Sequence, residues 1–291
     1  MATRVPVPAA VWRVEALLGE GPVWVAREQA LYFVDIEAGR IHRWNPANES
    51  GETVQVGGAP SFIVPAAGGE LLVGSGHQIR FFSDGRLRDA VATISQPASN
   101  RTNDATVDPE GRLWFGTMDT AQAVPTGAIW CLEKGVARCI GGEAVITNGP
   151  AIDYERRILY YVDTLERAIR RCALDAREPR PAVGTLVQLD AQIGYPDGIA
   201  VDAEGCVWVG LWDGWGVRRY APDGSLLMHV AFPCARVTKV AFGGRDLRTI
   251  YATTARGGLD RQQLERQPLA GSLFRFDAPT AGRSVPEVQL S

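Results

Sequence analysis

The chain has little of what many metal and redox centres are built from. Only three histidines occur in its 291 residues (His42, His77 and His229), and none has a second histidine four positions on, which argues against a histidine-built zinc site. The five cysteines, Cys131, Cys139, Cys172, Cys206 and Cys234, are odd in number and never spaced as Cys-x-x-Cys. They are therefore read as buried thiols in a reducing cytoplasm, not as a disulfide framework or a metal cage. No run of about 18 apolar residues exists, so no membrane-spanning helix is expected. Residues 1–10 carry one arginine and no long apolar stretch, unlike a secretory leader, and a cytoplasmic location is the expectation. Charge of one sign is lacking too: 30 Lys and Arg stand against 33 Asp and Glu, a net charge of −3. That leaves no electrostatic case for nucleic acid or an anionic membrane as partner. Amphipathic helices are missing, with one helical turn expected over residues 260–266.

What the chain does have is repetition. Short apolar runs centre on Tyr32, Leu72, Trp114, Tyr160, Trp208 and Tyr251, in steps of 40, 42, 46, 48 and 43 residues. Turn signals such as Ser83-Asp84-Gly85, Asp108-Pro109-Glu110-Gly111 and Asp202-Ala203-Glu204-Gly205 separate them. Two segments echo each other closely, Val107-Asp108-Pro109-Glu110-Gly111-Arg112-Leu113-Trp114 and Val201-Asp202-Ala203-Glu204-Gly205-Cys206-Val207-Trp208. A β-rich period in the forties predicts an all-β, six-bladed β-propeller with a central metal site, one domain over residues 1–291, its repeats beginning near residues 20, 61, 103, 148, 197 and 238. Residues 12–17 and 273–276 are the candidates for ring closure, because an unclosed ring leaves bare strand edges.

Polar residues recur at one phase of this repeat. Glu20, Asn103, Asn148, Asp197 and Thr238 lie 12, 11, 12, 11 and 13 residues before their apolar centres. Equivalent positions in successive blades point at the common axis, so Glu20, Asn103, Asn148 and Asp197 are expected to converge at one end of a channel. Taken singly, Gly19-Glu20-Gly21-Pro22, Thr147-Asn148-Gly149-Pro150 and Tyr195-Pro196-Asp197-Gly198 read as ordinary tight turns. In phase, two carboxylates and an amide oxygen make a set suited to a hard divalent ion, with positions left for water and substrate. Arg101 stands beside Asn103 and supplies a guanidinium. Lys239 is placed to neutralise the carboxylates, bind substrate or lie exposed. Trp212 and Trp215 read equally as a sugar-stacking wall or a hairpin core, and Asp163-Thr164-Leu165-Glu166 is placed to reach the mouth.

Together, Gly19-Glu20-Gly21-Pro22, Arg101-Thr102-Asn103-Asp104, Thr147-Asn148-Gly149-Pro150 and Tyr195-Pro196-Asp197-Gly198 resemble the regucalcin/SMP-30/gluconolactonase family across nearly the whole chain. Asn103-Asp104-Ala105-Thr106-Val107-Asp108, Gly116-Thr117-Met118 and Asp163-Thr164-Leu165-Glu166 look most like bacterial sugar lactonases, xylonolactonases in particular. The resemblance implies Glu20, Asn148 and Asp197 as ligands of one divalent metal ion (Ca, Mn, Mg, Fe or Zn), and Arg101 and Asn103 as the grip on the sugar. The animal members carry an acidic pair soon after Gly-Thr-Met, where this chain has Asp119 alone. The reading is a metal-dependent hydrolase opening a pentono- or hexonolactone to its aldonic acid, with Asp197 as general base and a sugar lactone as the small-molecule partner. Two alternatives stand beside it: a calcium- or ligand-binding propeller without turnover, which would need no sugar grip, and a hydrolase of other esters, which a wide apolar mouth would favour. A monomer is the expected oligomeric state.

Overall fold

The computed structural model describes residues 5–174 and 184–290; the first four residues of the N-terminal stretch read above lie outside them. Six four-stranded antiparallel sheets stand around an axis. Five are continuous in sequence, at residues 19–55, 60–93, 100–144, 147–188 and 195–231, and are numbered here as blades one to five. Blade six takes three strands from residues 237–277 and its outer strand, Ala9–Trp12, from the other end of the chain. The N-terminal strand pairs with Leu273–Asp277, Ala10 opposite Phe274 and Trp12 opposite Leu273. The N-terminal half of the expected closure is thus displaced from residues 12–17. Glu15 turns the chain with a positive φ of 56°, and the Asp35 carboxylate accepts the N–H groups of Leu17 and Leu18 at 2.9 and 3.0 Å. Those donors therefore leave the sheet.

The apolar core is a ring and not a centre. Six buried clusters are present, one at each junction between neighbouring blades. Phe62 and Leu72 of blade two meet Leu113 and Phe115 of blade three, and Trp24 of blade one stacks on Tyr251 of blade six with centroids 6.1 Å apart. Innermost strands are covered on both faces, so Gly19–Val25, Thr147–Asp153 and Val237–Gly243 are buried at every residue. The two echoing segments prove to be a structural clamp. Asp108 accepts the Arg112 N–H at 2.8 Å and the Trp114 indole N–H at 2.7 Å. Asp202 likewise accepts the N–H groups of Glu204 and Cys206 and the Trp208 indole. One carboxylate so shapes the turn and pins the large ring of the next strand, satisfying donors that burial would otherwise strand.

The expected helical turn is Arg261–Arg266, capped by Asp260, whose carboxylate accepts the Gln263 N–H. Among the described residues no helix is long and apolar enough to cross a membrane. Four cysteines are buried and all five are free; Cys139, expected inside, is exposed on an outer strand.

Residues 279–290 form a strap that the repeat pattern did not reveal. It crosses the end of the axis opposite the mouth described below, touching every blade in turn. Gly282 donates to the Leu247 carbonyl, Ala203 to Ala281, Val288 to Pro65 and Gln289 to Gly111. Arg283 pairs with Glu155 at 2.7 Å, and Arg27 with Glu287 at 2.6 Å. Val288 is 1 % exposed and Val285 packs against two junction clusters. Removing residues 280–291 deletes Val285 and Val288 and bares the apolar surface they cover, at about 1.5–3 kcal/mol each. Thermal melting is expected to fall by about 6–12 °C at about 2 °C per kcal/mol for a chain of this size; an unchanged midpoint would show that the strap does not tie the blades.

Candidate functional site

Every innermost strand pairs with its neighbour through a one-residue bulge at the same height. The bulges lie between Glu20 and Val23, Pro60 and Phe62, Thr102 and Ala105, Asn148 and Ala151, Pro196 and Ile199, and Val237 and Val240. The Gly-Pro and Pro-Asp-Gly motifs that read as tight turns are these bulged strand segments. An extra residue sharpens the twist and re-aims the side chains beside it. Proline is tolerated there because the axis-facing edge has no ladder partner to supply. Gly149 has a φ of +71°, and a Cβ on it would lie 2.8 Å from Ile199. A Cβ on Gly198 would lie 2.5 Å from the stem of Lys239.

Beside these bulges, Glu20, Asn103, Asn148 and Asp197 line one cavity of about 480 Å³, together with Arg101. The five residues singled out from sequence are thus brought together, from blades one, three, four and five. Thr238 is not with them. It is fully buried and donates its hydroxyl to the Gly19 carbonyl at 2.6 Å. Ser61, at the matching place in blade two, bonds Thr102 at 2.8 Å. Two blades therefore use a small hydroxyl at this phase to stitch the ring.

The amides form a chain. Arg101 Nη1 donates to Asn103 Oδ1 at 2.7 Å. Asn103 Nδ2 donates to the Thr147 carbonyl at 2.9 Å and to Asn148 Oδ1 at 2.7 Å. Asn148 Nδ2 donates to Thr164 Oγ1 at 3.0 Å. The carboxylates are poorer in partners. Glu20 accepts the Gly21 N–H at 2.9 Å, and among the described residues no donor is bonded to Asp197. Burial pushes the Glu20 carboxyl up to about 8, with repulsion from Asp104 adding to it. Asp197 is raised well above the ordinary carboxylate range, first by burial and then by Glu20 and Asp104. Burial lowers the Arg101 guanidinium to about 10 against the pull of Glu20 and Asp197.

Lys239 does not reach this cavity. Its ammonium donates to Asp104 Oδ1 at 2.5 Å and to the Ala105 carbonyl at 3.3 Å. The pair lines a smaller cavity of about 80 Å³, bounded by Arg283 and Val285 of the strap. Asp119 does not serve the site either. Its Oδ2 accepts the N–H groups of Ala123 and Val124 at 2.9 and 3.2 Å, which holds its carboxyl below the usual range. It staples the loop that brings Gln122 to the mouth.

Sequence reasoning placed mainly polar groups around the mouth, and the structure adds an apolar wall. Leu18, Ile36, Met118, Ile146 and Leu165 line it, beside Trp212. Trp212 carries the Arg236 guanidinium 4.6 Å from its ring centroid, whereas Trp215 is 46 % exposed and outside the lining. Met118, Leu165 and Trp212 come from segments already singled out, and Asp163-Thr164-Leu165-Glu166 does reach the mouth through Thr164 and Leu165; Leu18, Ile36 and Ile146 form no motif, so spacing had no signal for them.

The donor set fits a divalent cation. Two buried carboxylates with few hydrogen bonds, raised first by burial and then by neighbouring carboxylates, lie with an amide oxygen in a cavity open to solvent, and hard cations take oxygen ligands of this kind. A second cluster, Asp202, Glu204 and Cys206, has its potential ligand atoms within 4.8 Å of one another. There a guanidinium already supplies the positive charge: Arg219 lies 2.8 Å from Asp202 and 2.6 Å from Glu204.

Comparison with known proteins agrees with this architecture. The chain is 34 % identical over 281 residues to the 6-deoxy-6-sulfogluconolactonase of Pseudomonas putida, covering 95 % of this chain and 96 % of that protein. It is also 34 % identical over 281 residues to the pentonolactonase of Haloferax volcanii, covering 91 % and 92 %. Among solved structures, regucalcin of Agrobacterium tumefaciens, described as a calcium-binding protein, superposes with a TM-score of 0.92 at 26 % identity over 99 % of this chain and 98 % of that one. Residues 18–256 match the model of the SMP-30/gluconolactonase/LRE-like region. They include Glu20, Arg101, Asn103, Asn148 and Asp197, and the chain belongs to the SMP-30/gluconolactonase/LRE-like family.

Proposed function

We propose that this protein is a metal-dependent sugar lactonase, opening a pentono- or hexonolactone to its aldonic acid. The observation that carries the reading is the meeting of Glu20, Asn148 and Asp197 with Arg101 and Asn103 in one cavity of about 480 Å³. That volume lies within the span of about 300–1,000 Å³ common to small-molecule sites. The lactonase names of the two relatives support the reaction class.

In this reading Glu20, Asn148 and Asp197 hold the ion by oxygen atoms. When bound, the ion supplies Lewis-acid polarisation of the lactone carbonyl and offsets the negative charge that develops on its oxygen. Asp197 takes the proton of the attacking water with whichever oxygen does not ligate. Water oxygen bonds to the carbonyl carbon, the ring C–O bond breaks, and the proton passes to the ring oxygen, which leaves as a hydroxyl of the open acid. Arg101 has Nη1 engaged by Asn103 and by the Thr102 carbonyl, and offers its remaining N–H groups to sugar hydroxyls. Asn103 has both amide hydrogens engaged, so its contribution to substrate is a lone pair on Oδ1. The apolar wall takes the C–H faces of the ring.

Pentono- and hexonolactones are expected to open faster than they hydrolyse spontaneously when Ca, Mn, Mg, Fe or Zn is supplied, and chelation is expected to remove the excess. A pH-drop assay across a lactone panel measures this. Metal binding without acceleration of any aldonolactone would favour the non-catalytic binding propeller, and turnover confined to acyl esters or phosphotriesters would favour the wider esterase reading.

Asp197→Asn keeps an oxygen for the ion but accepts no proton, so kcat is expected to fall by about 100-fold or more at saturating metal. Arg101→Ala, also at saturating metal, is expected mainly to raise KM, since hydroxyl contacts are made in both ground and transition states. Steady-state kinetics with metal occupancy measured alongside tests both. Near-normal kcat in metal-loaded Asp197→Asn would remove Asp197 as the base. Asp104 and Asp119 are poorly placed to replace it, being bonded to Lys239 and to the 119–124 loop.

A further inference from the structure

We infer that Arg101 and Thr164 are positioning residues for the proposed metal ligand Asn148, fixing which end of its amide is available to a cation. This rests on the reading of Asn148 as a ligand. An amide has an oxygen end, which can ligate, and an NH2 end, which cannot, and the two are nearly alike in shape. The neighbours decide between them here, because each end of the chain allows only one choice. A guanidinium only donates, so the Asn103 atom 2.7 Å from Arg101 Nη1 is the oxygen. A backbone carbonyl only accepts, so the Asn103 atom 2.9 Å from the Thr147 oxygen is the NH2. The second hydrogen of that NH2 meets Asn148 at 2.7 Å and requires an oxygen there. The NH2 of Asn148 is then left for Thr164, whose hydroxyl oxygen receives it at 3.0 Å. Asn148 Oδ1 keeps a second lone pair for an ion. Thr164 lies just past the second strand of blade four and is 7 % exposed. Arg101 thus acts on the ligand two residues away in the chain of bonds, in addition to any contact with a sugar.

This assignment makes predictions of opposite sign to those of charge alone. Removing Arg101 takes a positive charge from beside Glu20 and Asp197, which by Coulomb's law tightens cation binding. Removing it as the donor that orients Asn103 weakens binding. Thr164 is uncharged, and Thr164→Val keeps its shape while deleting the acceptor. The experiment is titration calorimetry of the metal-free full chain with CaCl2 and with MnCl2, without lactone, on wild type, Thr164→Val, Thr164→Ser and Arg101→Met. Thermal melts of the metal-free proteins confirm that each variant is folded. Thr164→Val is expected to weaken metal binding by about 10-fold, the lower end of what loss of a ligand's supporting hydrogen bond costs. Thr164→Ser is expected to restore wild-type affinity, and Arg101→Met to weaken it. Wild-type affinity in Thr164→Val, or failure of serine to rescue, overturns the role of Thr164. Unchanged or tighter binding in Arg101→Met overturns that of Arg101. If wild type binds neither of these ions nor Mg, Fe or Zn, the metal reading itself falls and takes this inference with it, an outcome distinct from a wild type that binds and variants that bind equally well.

Discussion

The balance of charge on the axis is the constraint on which the rest turns. Three carboxylates, Glu20, Asp104 and Asp197, are raised first by burial, and Asp104 adds to the shift of Glu20 while Glu20 and Asp104 add to that of Asp197. Water cannot screen them there, and like charges withdrawn from water raise one another's free energy steeply. Lys239 answers Asp104 directly, at 2.5 Å. Arg101 acts on Glu20 and Asp197 through space, its bonded donor being turned to Asn103 and a carbonyl. Among the described residues Glu20 and Asp197 thus have no bonded cation of the protein's own, which is the condition under which a bound divalent ion gains most.

That arrangement follows from how a ring of sheets can be packed. Apolar side chains fill the six junctions, where neighbouring blades face each other. Around the axis two cavities remain, one lined by the candidate residues and a smaller one bounded by Arg283 and Val285 of the strap. The bulge common to the six innermost strands turns side chains inward at one level. Whether a blade then supplies a cavity-lining group or a stitch depends on the side chain standing there. Glu20, Asn148 and Asp197 reach into the cavity, while Ser61 and Thr238 are short enough to bond the adjacent blade.

Much of this was legible in the sequence because a propeller writes its geometry as a period. The spacing of Tyr32, Leu72, Trp114, Tyr160, Trp208 and Tyr251 counted the blades, and the phase of Glu20, Asn103, Asn148 and Asp197 placed them at one cavity. Phase says where a side chain begins, however, and not where it ends. Thr238 shares the phase but turns to Gly19, and Lys239 reaches down to Asp104. Features without a period were out of reach. The strap over residues 279–290 is held largely by backbone hydrogen bonds that many residue types could make. The end of the closing strand was set by the positive φ of Glu15 and by Asp35, whose bonds to Leu17 and Leu18 no local pattern announces. The exposure of Cys139 reflects an outer strand with one face in water, where a thiol's usual preference for burial decides little.

A ring built this way has no natural end from which to fray. Five blades are each one unbroken hairpin ladder, whereas the sixth is clasped by Ala9–Trp12 lying against Leu273–Asp277. The molecule is in this sense a hoop with a single buckle, and the buckle is only four residues long on one side. Tension in the circle is shared between that buckle and the strap, so the outermost strand of one blade helps to hold Glu20 of the first blade and Asp197 of the fifth at one cavity.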